Sequence, residues 1–240
     1  MFNQTLTGFA YLSASLVLNV LVYRFYQYWQ KDRTFISKTF LFFAAVMNLF
    51  LFVTAIGGLF FAQNIHVLRS IVISVTILQS LASAVLAYFL TRFKFSSFFS
   101  WIGFSLIFMA GLVDAALISS SSFRPFLEAG GSINWDLKPF DNTFRSIIFI
   151  TTILPAGIIL LWQSRKAKTS EEKNKAIGFG GVLLMGVFAG IVEFILQSFF
   201  NLGAVSTDIS VFGLAFSILI LIIFTRRIPS KEVKKISDEQ

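Results

Sequence analysis

Seven apolar stretches, each long enough to cross a bilayer as a helix, constrain this chain more than any other feature. They cover residues 5–28, 39–61, 68–90, 98–119, 143–162, 177–202 and 209–225, each bounded by charges or by Ser, Asn and Gly clusters. A hydrocarbon core of about 30 Å takes about 20 helical residues to cross. None of the stretches has the ten-residue apolar/polar alternation of a membrane barrel strand, and inside lipid an isolated segment satisfies its own backbone only as a helix. The expected fold is all-α: a polytopic membrane protein built as a bundle of seven transmembrane helices over residues 1–225, with a short basic tail over 226–240. Charged residues make up 13% of the chain and hydrophobic residues 56%, whereas soluble domains average about 25% charged. A soluble enzyme, a disordered hub and a secreted disulfide scaffold are thereby excluded.

The net charge of +8 would fit a nucleic-acid partner if the basic residues formed one patch. They instead alternate with the spans. With the N-terminus outside, Arg24, Lys31, Arg33, Lys38, Arg92 and Lys94 fall inside, as do Arg165, Lys166, Lys168, Lys173 and Lys175. The tail adds Arg226, Arg227, Lys231, Lys234 and Lys235, leaving only Arg69, Arg124, Lys138 and Arg145 outside. Basic residues concentrate on cytoplasmic loops, so the expectation is N-terminus out and C-terminus in, in the plasma (inner) membrane, with the lipid bilayer as partner and no nucleic acid. Trp29, Trp101 and Trp162 fall at cytoplasmic ends of spans, where amphipathic rings favour the headgroup layer. The first 23 residues are uncharged, which does not match the basic start of a cleavable signal, so the first span is expected to stay as an anchor.

Most connections are short. The loop over residues 119–142 is the exception, with Phe123, Phe126, Leu127, Ile133, Trp135, Leu137 and Phe140 on either side of Gly130 and Gly131. Pro125 and Pro139 prevent one continuous helix there, and no strand is expected. The loop either rests in the headgroup layer or over the bundle, or forms a lid over an outward-facing site. Residues 164–175 carry five basic residues beside Glu171 and Glu172, which suits topology, anionic lipid contact or docking of a cytoplasmic protein partner.

Ionisable groups within spans are expensive and therefore informative. Asp114 in the fourth span and Glu193 in the sixth each lie sixteen residues from the cytoplasmic start of their span, about 24 Å along the helix axis. Gly186, Gly190, Glu193 and Gln197 follow helical spacing on one face, and the two glycines form a step that admits a neighbouring helix. If Asp114 and Glu193 face each other, the pair would share a proton. Arg145 is the nearest counter-charge in depth. Asp208, after Ser206 and Thr207, reads first as part of an N-cap. These residues are candidates for a small-molecule or cation site, or for plain interhelical hydrogen bonds. Asn19, Asn48 and Gln79 lie mid-span, suited to interhelical bonds or to a polar path, and Pro155 should kink the fifth span.

The single histidine, His66, and the absence of cysteine exclude the usual zinc and bis-histidine heme sites. No metal, cofactor or catalytic residue is expected. The order of spans, with Arg69 opening the third and the YFLTR ending at Tyr88 to Arg92 closing it, resembles the seven-helix sensory region that precedes bacterial histidine kinases. The resemblance implies a sensor, here with a tail of about fifteen residues in place of a kinase. Topology is also similar to microbial rhodopsins, but the last span has no lysine for a retinal. The leading expectation is a non-enzymatic receptor-like or sensor-like protein taking an input at the outer face. The alternative is a small transporter or channel for protons, cations or a small solute that uses Asp114 and Glu193.

Overall fold

The computed structural model describes residues 5–167, 169–200 and 202–226. Lys168, Arg227, Lys231, Lys234 and Lys235, and with them nearly all of the expected tail, lie outside the described residues. The described chain forms seven α-helices: α1 (Leu6–Asp32), α2 (Phe35–Phe60), α3 (Ile65–Arg92), α4 (Ser97–Ser120), α5 (Pro139–Ser164), α6 (Ser170–Phe200) and α7 (Val205–Arg226). Each is long and apolar enough to cross a membrane. The chain is a multi-pass helical membrane protein.

Polar caps start the first three helices, α2 and α3 a few residues before their apolar stretches. The Thr5 hydroxyl accepts the Gly8 N–H at 3.0 Å, Thr34 accepts that of Ser37 at 3.3 Å, and Asn64 accepts that of Val67 at 3.1 Å. Such caps satisfy otherwise orphaned first-turn donors. Arg33, at φ 48°, ends α1 by donating its N–H to Trp29 O at 2.8 Å, and Thr34 then opens α2. Pro139 opens α5, where its missing N–H costs no hydrogen bond. Pro155 lies inside α5, which stays one helix through it.

Helices α1, α2, α3, α5, α6 and α7 form a ring in that order, α7 closing on α1, and α4 packs outside the ring against α3. Lipid supplies no hydrophobic drive between helices, so close backbone approach and hydrogen bonds hold them together. Gly8 and Gly58 meet back to back: a Cβ on Gly58 would stand 2.6 Å from the Gly8 nitrogen. The Thr5 hydroxyl bonds Gly58 O across the same seam at 2.7 Å. A Cβ on Gly180 would stand 3.0 Å from Gly157 O between α6 and α5, and Gly111 of α4 sits against Ser80 of α3. The expectation for Gly186 and Gly190 is overturned. A Cβ on either meets nothing within 4 Å, because α6 makes its close approach at Gly180, where Gly157 bares the opposing backbone.

We call the end where α1, α3, α5 and α7 begin the N-terminal face. Toward the opposite face the core is an aromatic layer: Phe40 stacks on Phe179 at 4.8 Å, Phe25 meets Phe179 edge-on at 4.5 Å, and Phe40 meets Phe89 at 5.0 Å. Trp101 and Trp162 are exposed at that same face, with Lys166 Nζ 3.7 Å from the Trp162 ring.

The connection between α4 and α5 covers part of the N-terminal face. Contrary to expectation it contains a short antiparallel ladder, β1 (Phe126–Leu127) with β2 (Ile133–Asn134), pairing Phe126 with Asn134 and Leu127 with Ile133. Two-residue strands have too little pattern to read locally; this pair is held from outside. Leu6 donates its N–H to Gly131 O at 2.8 Å. Ile133 packs with Ala62 and Leu68, while Phe123 packs with Val72 and Ile118. The Arg69 guanidinium donates to Ser121 O at 3.0 Å and lies 5.1 Å from the Phe123 ring. The loop therefore lies over the bundle.

Candidate functional site

Beneath this hairpin the N-terminal face holds a group of buried and half-buried polar side chains, one or two from each of α1, α4, α5, α6 and α7. Proline-started α5 brings Asp141 and Arg145 one turn apart on one face. Arg145 Nε stands 3.5 Å from Asp114 Oδ2, with Asp114 2% and Arg145 14% exposed. Arg145 is thus the counter-charge of Asp114. Asp141, 6% exposed, adds a second carboxyl beside the same guanidinium. The pair is longer than the roughly 2.8 Å of a charge-assisted hydrogen bond. Asp114 Oδ1 and Arg145 Nη2 are buried with no hydrogen-bond partner among the described residues.

The second part of the group joins three elements. The Ile133 N–H donates to Thr7 Oγ1 at 2.8 Å, and the Thr7 hydroxyl donates to Asp208 Oδ2 at 2.8 Å. One threonine thereby ties the hairpin to α1 and α7. Asp208 is not an N-cap as expected, because α7 begins at Val205 and sets this residue in its first turn, where a carboxylate is favoured by the helix dipole. In the third part, the Thr207 hydroxyl donates to Glu193 Oε1 at 2.6 Å across the α6–α7 seam. Tyr11, one turn after Thr7 and nearly fully buried, lies within electrostatic reach of Glu193, Asp208 and Arg145.

Asp114 and Glu193 do not form the shared-proton pair envisaged. Asp114 faces α5 from outside the ring, whereas Glu193 is engaged by α7. Gln197 is exposed, one turn beyond Glu193, and takes no part. Asn19 and Asn48 join at the α1–α2 seam: Asn48 Nδ2 donates to Asn19 Oδ1 at 2.9 Å, and the Ser15 hydroxyl donates to Asn48 Oδ1 at 2.9 Å. Asn19 is exposed on the outside of the bundle, and Gln79 is half-buried on α3, apart from this pair. The three amides therefore do not line one interior path.

Four residues escaped sequence reasoning. Asp141 carries the one usable signal, an acid four residues before an arginine on a helix. Thr7, Tyr11 and Thr207 are unremarkable in sequence because hydroxyls are common in membrane helices. Chemically the group offers four carboxyls, Asp114, Asp141, Glu193 and Asp208, against one guanidinium. That balance suits a cation or a donor-rich small molecule. Among the described residues no three acids or histidines converge as metal ligands. No family model, curated protein or solved structure matches the chain.

Proposed function

We propose that this chain is a non-enzymatic, receptor-like sensor of the plasma (inner) membrane, with the N-terminus outside and the C-terminus inside. It takes a small-molecule or cation input at the polar group beneath the hairpin. It relays that input to a cytoplasmic protein partner at the basic opposite face, where Arg165, Lys166, Lys173 and Lys175 gather.

One observation carries this reading. The ionisable group is confined to one end of the bundle, and the aromatic layer of Phe25, Phe40, Phe89 and Phe179 fills the other. A relay fits this arrangement better than a conduit. A ligand that competes for Asp208 or the Ile133 N–H breaks the Thr7 link between the hairpin and α7 and leaves the Leu6-to-Gly131 bond as the hairpin's backbone tie to α1. Motion of α1 reaches the opposite end through Phe25 on Phe179. The excess of carboxyls favours a second reading, a small transporter or channel for protons or cations with Asp114 and Glu193 as coupling groups.

Proton and monovalent-cation flux in proteoliposomes separates the two. The sensor reading expects no flux above empty vesicles from folded wild-type protein. Flux that disappears in Glu193→Gln or Asp114→Asn would replace it with the transporter.

A further inference from the structure

Asn19 stands at the midpoint of α1, thirteen residues from either end of Leu6–Asp32, and Asn48 stands close to the midpoint of α2. Their hydrogen bond therefore lies near the middle of two helices that cross the membrane. Asn48 uses both ends of its amide inside the seam: Nδ2 donates to Asn19 Oδ1 at 2.9 Å, and Oδ1 accepts the Ser15 hydroxyl at 2.9 Å. Asn19 does not. Its Oδ1 accepts that one bond and keeps a second lone pair, while the two N–H groups of Nδ2 meet no acceptor among the described residues. The side chain is exposed, and at this depth hydrocarbon has no acceptor to give it. Leu16, Val20 and Tyr23 are exposed as well. With Asn19 they follow i, i+3, i+4, i+7 and share one helix face.

A carboxamide is donor and acceptor at once, so its complement is another carboxamide. Two copies inserted the same way, related by a two-fold axis along the bilayer normal, bring α1 against α1 in parallel. That symmetry sets Asn19 opposite Asn19 at one depth. We propose that the chain forms a homodimer through this exposed face of α1. Each Asn19 Nδ2 donates to the free lone pair of the other copy's Asn19 Oδ1, and Leu16, Val20 and Tyr23 pack around the pair. A different chain would need an acceptor placed at the same depth, whereas a second copy supplies one by symmetry. One asparagine in an apolar seam also fixes register, because a slip of either helix strands the amide. Such a dimer requires only that the chain cross a bilayer, whether it senses or transports.

The test is energy transfer between copies of the full chain in lipid vesicles, labelled through Ala167→Cys and diluted stepwise with lipid. Transfer should fall as the dimer dissociates. Asn19→Leu removes two interhelical hydrogen bonds and should move the midpoint of that fall to about eightfold higher protein density. Asn19→Gln should restore most of the association. A second measurement leaves Asn19 in place, so a variant that fails to fold does not decide the matter. In the otherwise cysteine-free chain, Leu16→Cys and Tyr23→Cys should form disulfide-linked dimers when native membranes are oxidised. Met109→Cys, at similar depth on the exposed face of α4, should not. Absence of transfer at every density would overturn the dimer and leave the amide to a helix of another chain. Association of folded Asn19→Leu equal to that of wild type would also overturn it, as would cross-links at 109 in place of 16 and 23.

Discussion

Thr7 carries more of this molecule than its size implies. Its hydroxyl accepts from the Ile133 backbone and donates to Asp208; all three residues are nearly or fully buried. Thr7→Val keeps the shape and strands a donor and an acceptor at once, each costing about 1–3 kcal/mol. Amide exchange at Ile133 should accelerate in Thr7→Val, and Thr7→Ser should restore protection. Unchanged exchange would mean the hairpin is held without the Thr7 bond, by its apolar contacts and the Leu6-to-Gly131 bond. Asp114 makes a different point. Asp114→Asn leaves Arg145 with Asp141 as its nearby acid, and breaking a buried pair from one side costs about 3–5 kcal/mol. Unfolding titrations should give a loss near the lower end. They should also give a double variant Asp114→Asn/Arg145→Gln that is less destabilised than the sum of the singles by about 1–2 kcal/mol. Strict additivity would show that the two side chains do not interact in solution. That Asp114 and Glu193 are special is legible from their place in apolar spans. Their partners are not: Arg145 could be guessed by depth, whereas Thr207 had no distinguishing pattern.

Among the helices, the glycines separate close approach from mere small size. Gly58→Val forces a side chain into the Gly8 backbone, and overpacking of this kind costs about 1–3 kcal/mol. Gly190→Val projects into open space and should leave the thermal midpoint in detergent unchanged. If both substitutions behaved alike, the α1–α2 contact would be wrong. Sequence spacing favoured Gly186 and Gly190 because four-residue separation repeats one helix face. Which face meets a neighbour depends on the backbone across the seam, and that backbone belongs to Gly157.

For the bundle as a whole, the division into a polar N-terminal end and an aromatic opposite end is the property that function must use. The proposed orientation has a direct check, since the chain contains no cysteine. Single variants Ala129→Cys in the hairpin and Ala167→Cys between α5 and α6 can be labelled in intact cells with a membrane-impermeant maleimide. Labelling is expected at position 129 alone; labelling at 167 alone would invert the topology and the direction of the proposed signal.

The number of helices, their approximate spans and the depth of the intramembrane acids were determined by the sequence alone. Hydrophobicity is additive over about 20 consecutive residues, so it needs no knowledge of neighbours. The tertiary structure decided the rest: α4 outside the ring, a β-ladder over the bundle, Asp114 with Arg145, and Glu193 with Thr207. In lipid one apolar helix face resembles another, so helix order turns on a few shape and hydrogen-bond matches between distant residues. The bond from Thr7 to Asp208 spans 201 positions, and no local pattern in the chain encodes it.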